Sequence, residues 1–193
     1  MSPEPLERVR RWYEEAVAVG LFEPDAMALA TASPDGMPSV RIVLLKGIDE
    51  RGLRFFTNYG SRKGRELDAN PRAAVTIHWA AMHRAVRAEG AVERLTEEES
   101  DAYFASRVRE SRLGAWASRQ GTPIPDRGTL EAAFADAAAR YPSENVPRPD
   151  YWGGYRLVPS AIELWQGRPN RLHDREHFVR EPDGSWRSER LSP

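Results

Sequence analysis

The sequence predicts a β-rich α+β fold: an antiparallel barrel or sandwich with helices added at its periphery. Three observations carry that expectation. About eight short apolar or alternating runs are distributed along the chain. Most are joined by tight-turn chemistry, such as Ser33-Pro34-Asp35-Gly36 and Glu181-Pro182-Asp183-Gly184. No helical stretch separates the early runs, whereas a parallel sheet would need a crossover helix between successive strands.

Taken in order, the first element is a helix. Ser2 is placed to cap it and Pro3 suits its first turn, while Leu6, Val9, Tyr13, Ala16 and Val17 recur at helical spacing until Gly20. Residues 26–32, 40–45 and 53–57 then read as three strands of a meander. Ser61 caps a short helix through Leu67, closed by Asn70-Pro71. Strands follow at 73–79 and 84–95. Thr96 and Glu99 form a capping-box pattern that opens a helix through Phe104. A helical, Pro-punctuated region runs over 111–141 with Asp126 as a cap, and 143–150 is a Pro-rich loop. The C-terminal part returns to strands around 155–157, 162–165, 172–179 and 186–191.

Composition narrows the function. Lys plus Arg number 28 and Asp plus Glu 29, so a net charge of −1 argues against a surface built for nucleic acid or anionic lipid. With no cysteine, disulfides, thiolate metal sites and cysteine nucleophiles are ruled out. No uncharged run approaches the roughly 20 residues that cross a bilayer. The first fifteen residues lack the apolar stretch of a signal peptide, so a cytoplasmic protein is expected.

The charge is nonetheless uneven. Residues 41–65 hold seven basic side chains (Arg41, Lys46, Arg51, Arg54, Arg62, Lys63, Arg65) against Asp49 and Glu50, and 103–119 hold four (Arg107, Arg109, Arg112, Arg119) against Glu110. A solvated face is the ordinary explanation of such clusters. Two details favour compact anions. Arg41 and Lys46 flank the apolar Ile42-Val43-Leu44-Leu45 and should emerge at the ends of a buried strand. Ser61-Arg62-Lys63 opens a helix, where free N–H groups and the dipole favour a phosphate.

Other motifs are weaker. His173-Asp174-Arg175-Glu176-His177 imitates a zinc helix, but Leu172 and Phe178-Val179 around it indicate a strand, where residues four apart lie ~13 Å from each other. No metal site is expected. Neither G-x-G-x-x-G nor a P-loop is present. Six tryptophans must pack or hold something. The segment Tyr151-Trp152-Gly153-Gly154-Tyr155-Arg156 suits a barrel core, whereas Arg171-Leu172-His173 places a cation beside a titratable ring.

Together and in this order, Arg41-Ile42-Val43-Leu44-Leu45-Lys46, Phe56-Thr57-Asn58, Gly60-Ser61-Arg62-Lys63, Trp152-Gly153-Gly154, Trp165-Gln166-Gly167 and Arg171-Leu172-His173-Asp174-Arg175 resemble the pyridoxine/pyridoxamine 5′-phosphate oxidase family. The resemblance implies an FMN-binding split β-barrel of one domain, 1–193, with an N-terminal helix in 1–20 and with 143–193 completing the barrel and substrate site. It implies a homodimer with FMN at the subunit interface, and O₂ and a phosphorylated B6 vitamer as substrates. FMN contacts fall on Arg41, Ile42, Val43, Leu44, Leu45, Lys46, Phe56, Thr57, Arg62, Lys63, Gln120, Trp165 and Arg175. Lys46, Tyr103, Arg107 and Ser111 match the substrate-phosphate positions. Arg171 and His173 match the catalytic pair beside the pyridine ring.

Three positions depart from the family pattern. Ala85 and Gly121 stand where the family has Gln and Ser, each loss worth on the order of 1 kcal/mol of hydrogen bonding. Arg112 stands where a neutral amide is common. Flavin binding is expected to survive these changes. Two other expectations compete with the main one: a related FMN-dependent oxidase acting on a different ring, and a non-catalytic flavin-binding barrel. Lys46 opposes the former, because a substrate without phosphate gives its charge no partner. Retention of Arg171 and His173 opposes the latter.

Overall fold

The computed structural model describes residues 4–193. Its strands form one antiparallel sheet that curls into a half-barrel: β1 (Ala26–Ala32), β2 (Pro38–Leu44), β3 (Gly47–Ile48), β4 (Leu53–Asn58), β5 (Arg72–Trp79), β6 (Arg84–Arg94), β7 (Trp152–Gln166), β8 (Asp174–Arg180) and β9 (Trp186–Arg190). The order is β2-β1-β5-β6-β7-β4-β3, with β8 added to β7 and β9 to β8. Among the described residues five α-helices lie around it: α1 (Pro5–Ala18), α2 (Arg62–Ala69), α3 (Glu97–Ser106), α4 (Arg109–Ala117) and α5 (Arg127–Arg140). No helix among the described residues is long and apolar enough to cross a membrane.

The sheet branches at β7. Its first half pairs with β4, from Trp152 opposite Asn58 to Leu157 opposite Leu53. Its second half pairs with β8, from Ala161 opposite Val179 to Gln166 opposite Asp174. From Tyr155 to Gln166 it runs beside β6, with a register shift at Glu89/Gly90 where Gly90 faces Pro159. A Cβ on Gly90 would lie 2.1 Å from the Val158 carbonyl oxygen, so the strands approach this closely only because the side chain is absent. The core is packed between the curled sheet and α1, around Val9, Met27, Leu29, Leu53, Phe55, Val86, Leu157 and Ile162. A second cluster joins α4 to α5 through Leu113, Ala137 and Val146.

Several expectations hold locally. Ser61 caps α2 through the Gly64 N–H, and Thr96 with Glu99 makes the full capping box of α3. Asp126 caps α5. Others are corrected. The helical region expected over 111–141 is α4 and α5, and it opens two residues early, at Arg109. Ser2 and Pro3 lie outside the described residues; α1 begins at Pro5 behind Glu4, and Val17 is exposed. The three-strand meander does not form, because β4 leaves β2 and pairs with β7 instead. The strands expected at 155–157 and 162–165 are one strand. The strand expected from Leu172 begins at Asp174. Finally, β2 is an edge strand covered on one face only. Val43 is buried there, whereas Val40 and Ile42 are 70% and 64% exposed and Leu44 is exposed with them.

Candidate functional site

A cleft of about 410 Å³ opens where β4 and the start of β7 meet α3 and α4. Its floor is an aromatic stack. Phe56 lies 3.9 Å from Tyr103, centroid to centroid, and 5.6 Å from Trp152, all three rings nearly parallel. The Arg107 guanidinium sits 4.8 Å above the Trp152 ring. Helical spacing brings Ser111, Gly114, Ala115 and Ser118 of α4 to one wall. Lys46, Tyr103, Arg107 and Ser111, which are scattered over 66 residues of sequence, all line this one cleft.

Their charges are unevenly matched. Lys46 donates to the Asp25 carboxylate at 2.6 Å, so its charge has a partner in the protein, contrary to the expectation that only a phosphate could supply one. Arg107 does not. Its Nη1 is buried with no hydrogen-bond partner, and burial, followed by the neighbouring Arg112, lowers its pKa from the ordinary value. A buried unmatched guanidinium N–H at a cleft wall is a demand for an anion.

A second anion-seeking group adjoins the cleft at the N-terminus of α2. Lys63 is 7% exposed, and its ammonium donates to Thr57 Oγ1 at 3.1 Å, Ser61 Oγ at 3.3 Å and Gln120 Oε1 at 2.9 Å. All three are neutral. Burial, with a smaller push from Arg41, brings its pKa down to about 8. Arg41 and Arg62 are oriented by a residue the sequence reasoning missed. The buried Glu66 carboxylate accepts from Ser39 at 2.6 Å and Thr31 at 2.5 Å, and from Arg62 at 2.7 Å, with Arg41 at 3.3 Å. Burial opposes its ionisation, but the Ser39, Thr31 and Arg62 hydrogen bonds overcome that and hold its pKa down at about 2. Arg62 and Glu66 stand four apart on α2, a helical ion-pair spacing visible in the sequence.

The strand 41–46 contributes in two ways. Arg41 and Val43 face inward with Leu45, while Leu44 reaches the cleft and Ile42 points away from the molecule.

The remaining expected residues are elsewhere. Trp165 and Arg175 are cross-strand neighbours near the far end of β7 and β8. Trp152 and Trp165 thus stand at opposite ends of β7, separated by a contour length on the order of 40 Å at the rise of an extended strand. Arg175 is held by Glu163, with Nε–Oε1 at 2.8 Å and Nη2–Oε2 at 2.9 Å. The His173 ring packs on Trp165 at 4.7 Å, and its Nδ1 accepts the Arg168 N–H at 3.1 Å. Asn170 and Arg171 both have left-handed backbone, φ 58° and 61°, which costs energy for non-glycine residues and sets Arg171 out into solvent. The Asp174–Arg180 stretch is a strand as expected, which separates His173 from His177; the latter pairs with Glu189 at 3.1 Å. A larger concavity of about 550 Å³, lined by small residues of β1, β5 and β6 such as Ala28 and Ala74 together with the charged Arg87, Glu89 and Glu163, touches none of the expected site residues.

Comparison with known proteins agrees along the whole chain. The pyridoxamine 5′-phosphate oxidase family model matches residues 13–141, and a pyridoxine 5′-phosphate oxidase C-terminal dimerisation region matches 152–193. A pyridoxine/pyridoxamine 5′-phosphate oxidase of Cupriavidus necator is 56% identical over 193 residues, covering all of this chain and 91% of the relative. One of Rubrobacter xylanophilus is 57% identical over 192 residues, covering 100% and 88%. Among solved structures, PhzG from Burkholderia lata 383, in complex with tetrahydrophenazine-1-carboxylic acid, superposes with a TM-score of 0.94 at 34% identity, covering all of this chain and 95% of that one. A pyridoxamine 5′-phosphate oxidase-related FMN binding protein of Nostoc punctiforme shares the fold, at a TM-score of 0.80 and 19% identity over the full length of both chains.

Proposed function

The chain belongs to the pyridoxamine 5′-phosphate oxidase family, and from that premise we propose that it oxidises pyridoxine 5′-phosphate or pyridoxamine 5′-phosphate to pyridoxal 5′-phosphate, reducing O₂ to H₂O₂ and, with the amine, consuming water and releasing ammonia. The observation that carries this reading is the cleft in which Lys46, Tyr103, Arg107 and Ser111 converge, with an Arg107 N–H left unmatched. Flavin binding comes with the family; we assign FMN specifically. Its phosphate fits the buried Lys63, whose three partners are neutral, beside Arg41 and Arg62 at the first turn of α2. Thr57, Gln120, Phe56 and the 41–46 strand would hold the rest of the cofactor. When bound, FMN supplies hydride acceptance from the substrate's C4′ carbon and electron transfer to O₂.

The chain's own residues position the substrate. Lys46, Arg107, Tyr103 and Ser111 hold its phosphate, and that remote binding energy fixes where the ring lies. Arg171 and His173 close over the ring and exclude water. Since His173 Nδ1 already accepts the Arg168 N–H, Nε2 is the atom left to hold or move a proton at the ring. In this reading Arg171, His173, Trp165 and Arg175 reach the cleft from the partner subunit of a homodimer, with FMN at the interface. The matched dimerisation region and the exposed apolar face of β2 support that assembly.

The test is direct. The purified protein should show the visible spectrum of bound flavin, and adding either phosphate ester in air should yield aldehyde and peroxide in equal amounts. Flavin without turnover on either ester would sink the reading. Turnover of an unphosphorylated ring, with none of the esters, would move the assignment towards a substrate like the tetrahydrophenazine-1-carboxylic acid bound by PhzG.

A further inference from the structure

Arg112 is the charged group of this region that the proposed function leaves unused. It lies on α4 between Ser111, which lines the cleft, and Leu113, which is buried in the α4–α5 cluster. At about 100° per residue its side chain leaves the helix on the flank of the cleft face rather than into the cleft. It is nevertheless withdrawn from water, with a side chain only 13% exposed. Its Nε is buried without a hydrogen-bond partner. The acid it meets is Glu144, 3.5 Å from Nη2 and 84% exposed, and an acid that exposed is screened by solvent and neutralises little.

Arg107 is the adjacent cation: the Arg112 backbone N–H donates at 3.2 Å to the carbonyl of Val108, the residue that follows Arg107, and the Arg112 charge adds to burial in lowering the Arg107 pKa. Arg109, another cation of the segment, is instead satisfied by carbonyls, donating to Ser143 O at 3.1 Å and Tyr141 O at 2.7 Å. The fold therefore holds two half-buried guanidiniums beside each other, each with an unmatched N–H, without an acid of comparable burial. Such an arrangement disfavours the empty cleft and is relieved by an anion placed within the field of both.

We propose that Arg112 is a positioning residue of the substrate-phosphate site: a second cation, not in contact with the ligand, that strengthens the hold of Arg107 on a dianionic phosphate. The proposal rests on the assignment of Arg107 to the substrate phosphate. It places the effect in binding rather than in the oxidation step, because Arg112 lines neither the cleft nor the flavin-phosphate residues.

The experiment uses the flavin-loaded protein. Inorganic phosphate is titrated calorimetrically, and KM and kcat are measured with pyridoxamine 5′-phosphate. Arg112→Gln should weaken phosphate binding and raise KM, each by about fivefold, with kcat and flavin content held within about twofold. Arg112→Lys should recover most of the loss, since it restores the charge. Glu144→Gln should act in the opposite direction and tighten phosphate binding by up to about twofold, because it removes the acid that partly offsets Arg112. Unchanged phosphate affinity in Arg112→Gln overturns the proposal, whatever happens to its melting temperature. If that variant does not fold, Arg112→Met, which keeps the apolar stem and removes the charge, decides by the same titration, and unchanged phosphate affinity there is fatal. Phosphate binding that depends on Arg112 in a protein oxidising neither ester would sink the proposed function and leave this inference standing. A wild-type protein that binds no phosphate overturns the inference, while turnover is judged by its own assay.

Discussion

At Lys63, burial and the neighbouring Arg41 lower the ammonium pKa from 10.5 to about 8. The unfolded chain therefore keeps a proton that the folded, unliganded chain releases between those values. Stability of the unliganded protein should rise with pH through that window. An anion on Lys63 reverses the preference, since it favours the charged form. FMN affinity should accordingly be flat below pH 8 and fall above it, by up to about tenfold per unit. The FMN phosphate is already a dianion there, with its second pKa near ~6, so it adds no titration of its own. Flavin-fluorescence titration from pH 7 to 9.5 checks this. Lys63→Met should bind FMN more weakly and lose the pH dependence; an equally steep fall in the variant would assign the effect to another group. The placement of Lys63 at a capped helix start was legible because a Ser cap with adjacent basic residues is a local pattern. Asp25 beside Lys46 was not, because two residues 21 apart meet only through strand pairing. Arg112 was visible as a charge, but its burial was not, because that depends on α5 and the loop after it.

The elements show the same division between local and non-local information. Caps and turns act within four residues, so Ser61, Thr96 with Glu99, and Asp126 all marked helix starts correctly. Strand partners are chosen across the chain. Residues 26–57 have the turn chemistry of a meander, yet β4 gains more by pairing with β7, where Phe55 and Tyr155 stack at 5.6 Å in the core. The gap expected between the strands at 155–157 and 162–165 does not form: β7 continues through Pro159-Ser160, because Gly90 on β6 lets the shifted register close around Pro159. That explanation is testable. Gly90→Ala puts a methyl group 2.1 Å from the Val158 oxygen, a backbone atom that cannot swing aside. The cost should be about 2–3 kcal/mol, lowering the apoprotein's melting temperature by roughly 5–10 °C. A change under about 1 °C would mean that the bend accommodates a side chain and that Gly90 does not set it. Since the bend carries β7 from the cleft end to the Trp165 end, the variant should also lose flavin affinity.

Over the whole molecule, the near-neutral charge hides two separate cation clusters, one at Lys63 with Arg41 and Arg62, the other at Arg107 with Arg112. Both lie beside the cleft. Arg171 and His173 lie at the opposite end of β7, on a tip whose left-handed backbone and exposed Leu172 serve nothing within the protomer. The edge strand β2 likewise turns Val40 and Ile42 to the outside. These two features make sense together if a two-fold assembly lays the tip of one subunit against the cleft of the other. The arrangement predicts complementation. Arg107→Ala should fail through the cleft, and Arg171→Ala should lose turnover far more than it loses flavin. In a heterodimer of the two, one site combines both defects. The other combines an intact cleft from the Arg171→Ala chain with an intact tip from the Arg107→Ala chain. Unfolding and refolding an equal mixture makes half the dimers hybrid, and activity should return to about a quarter of wild type. If each subunit instead built its whole site alone, every site in the mixture would keep one defect. Activity would then stay at the level of the separate variants, and the shared-site assembly would be excluded.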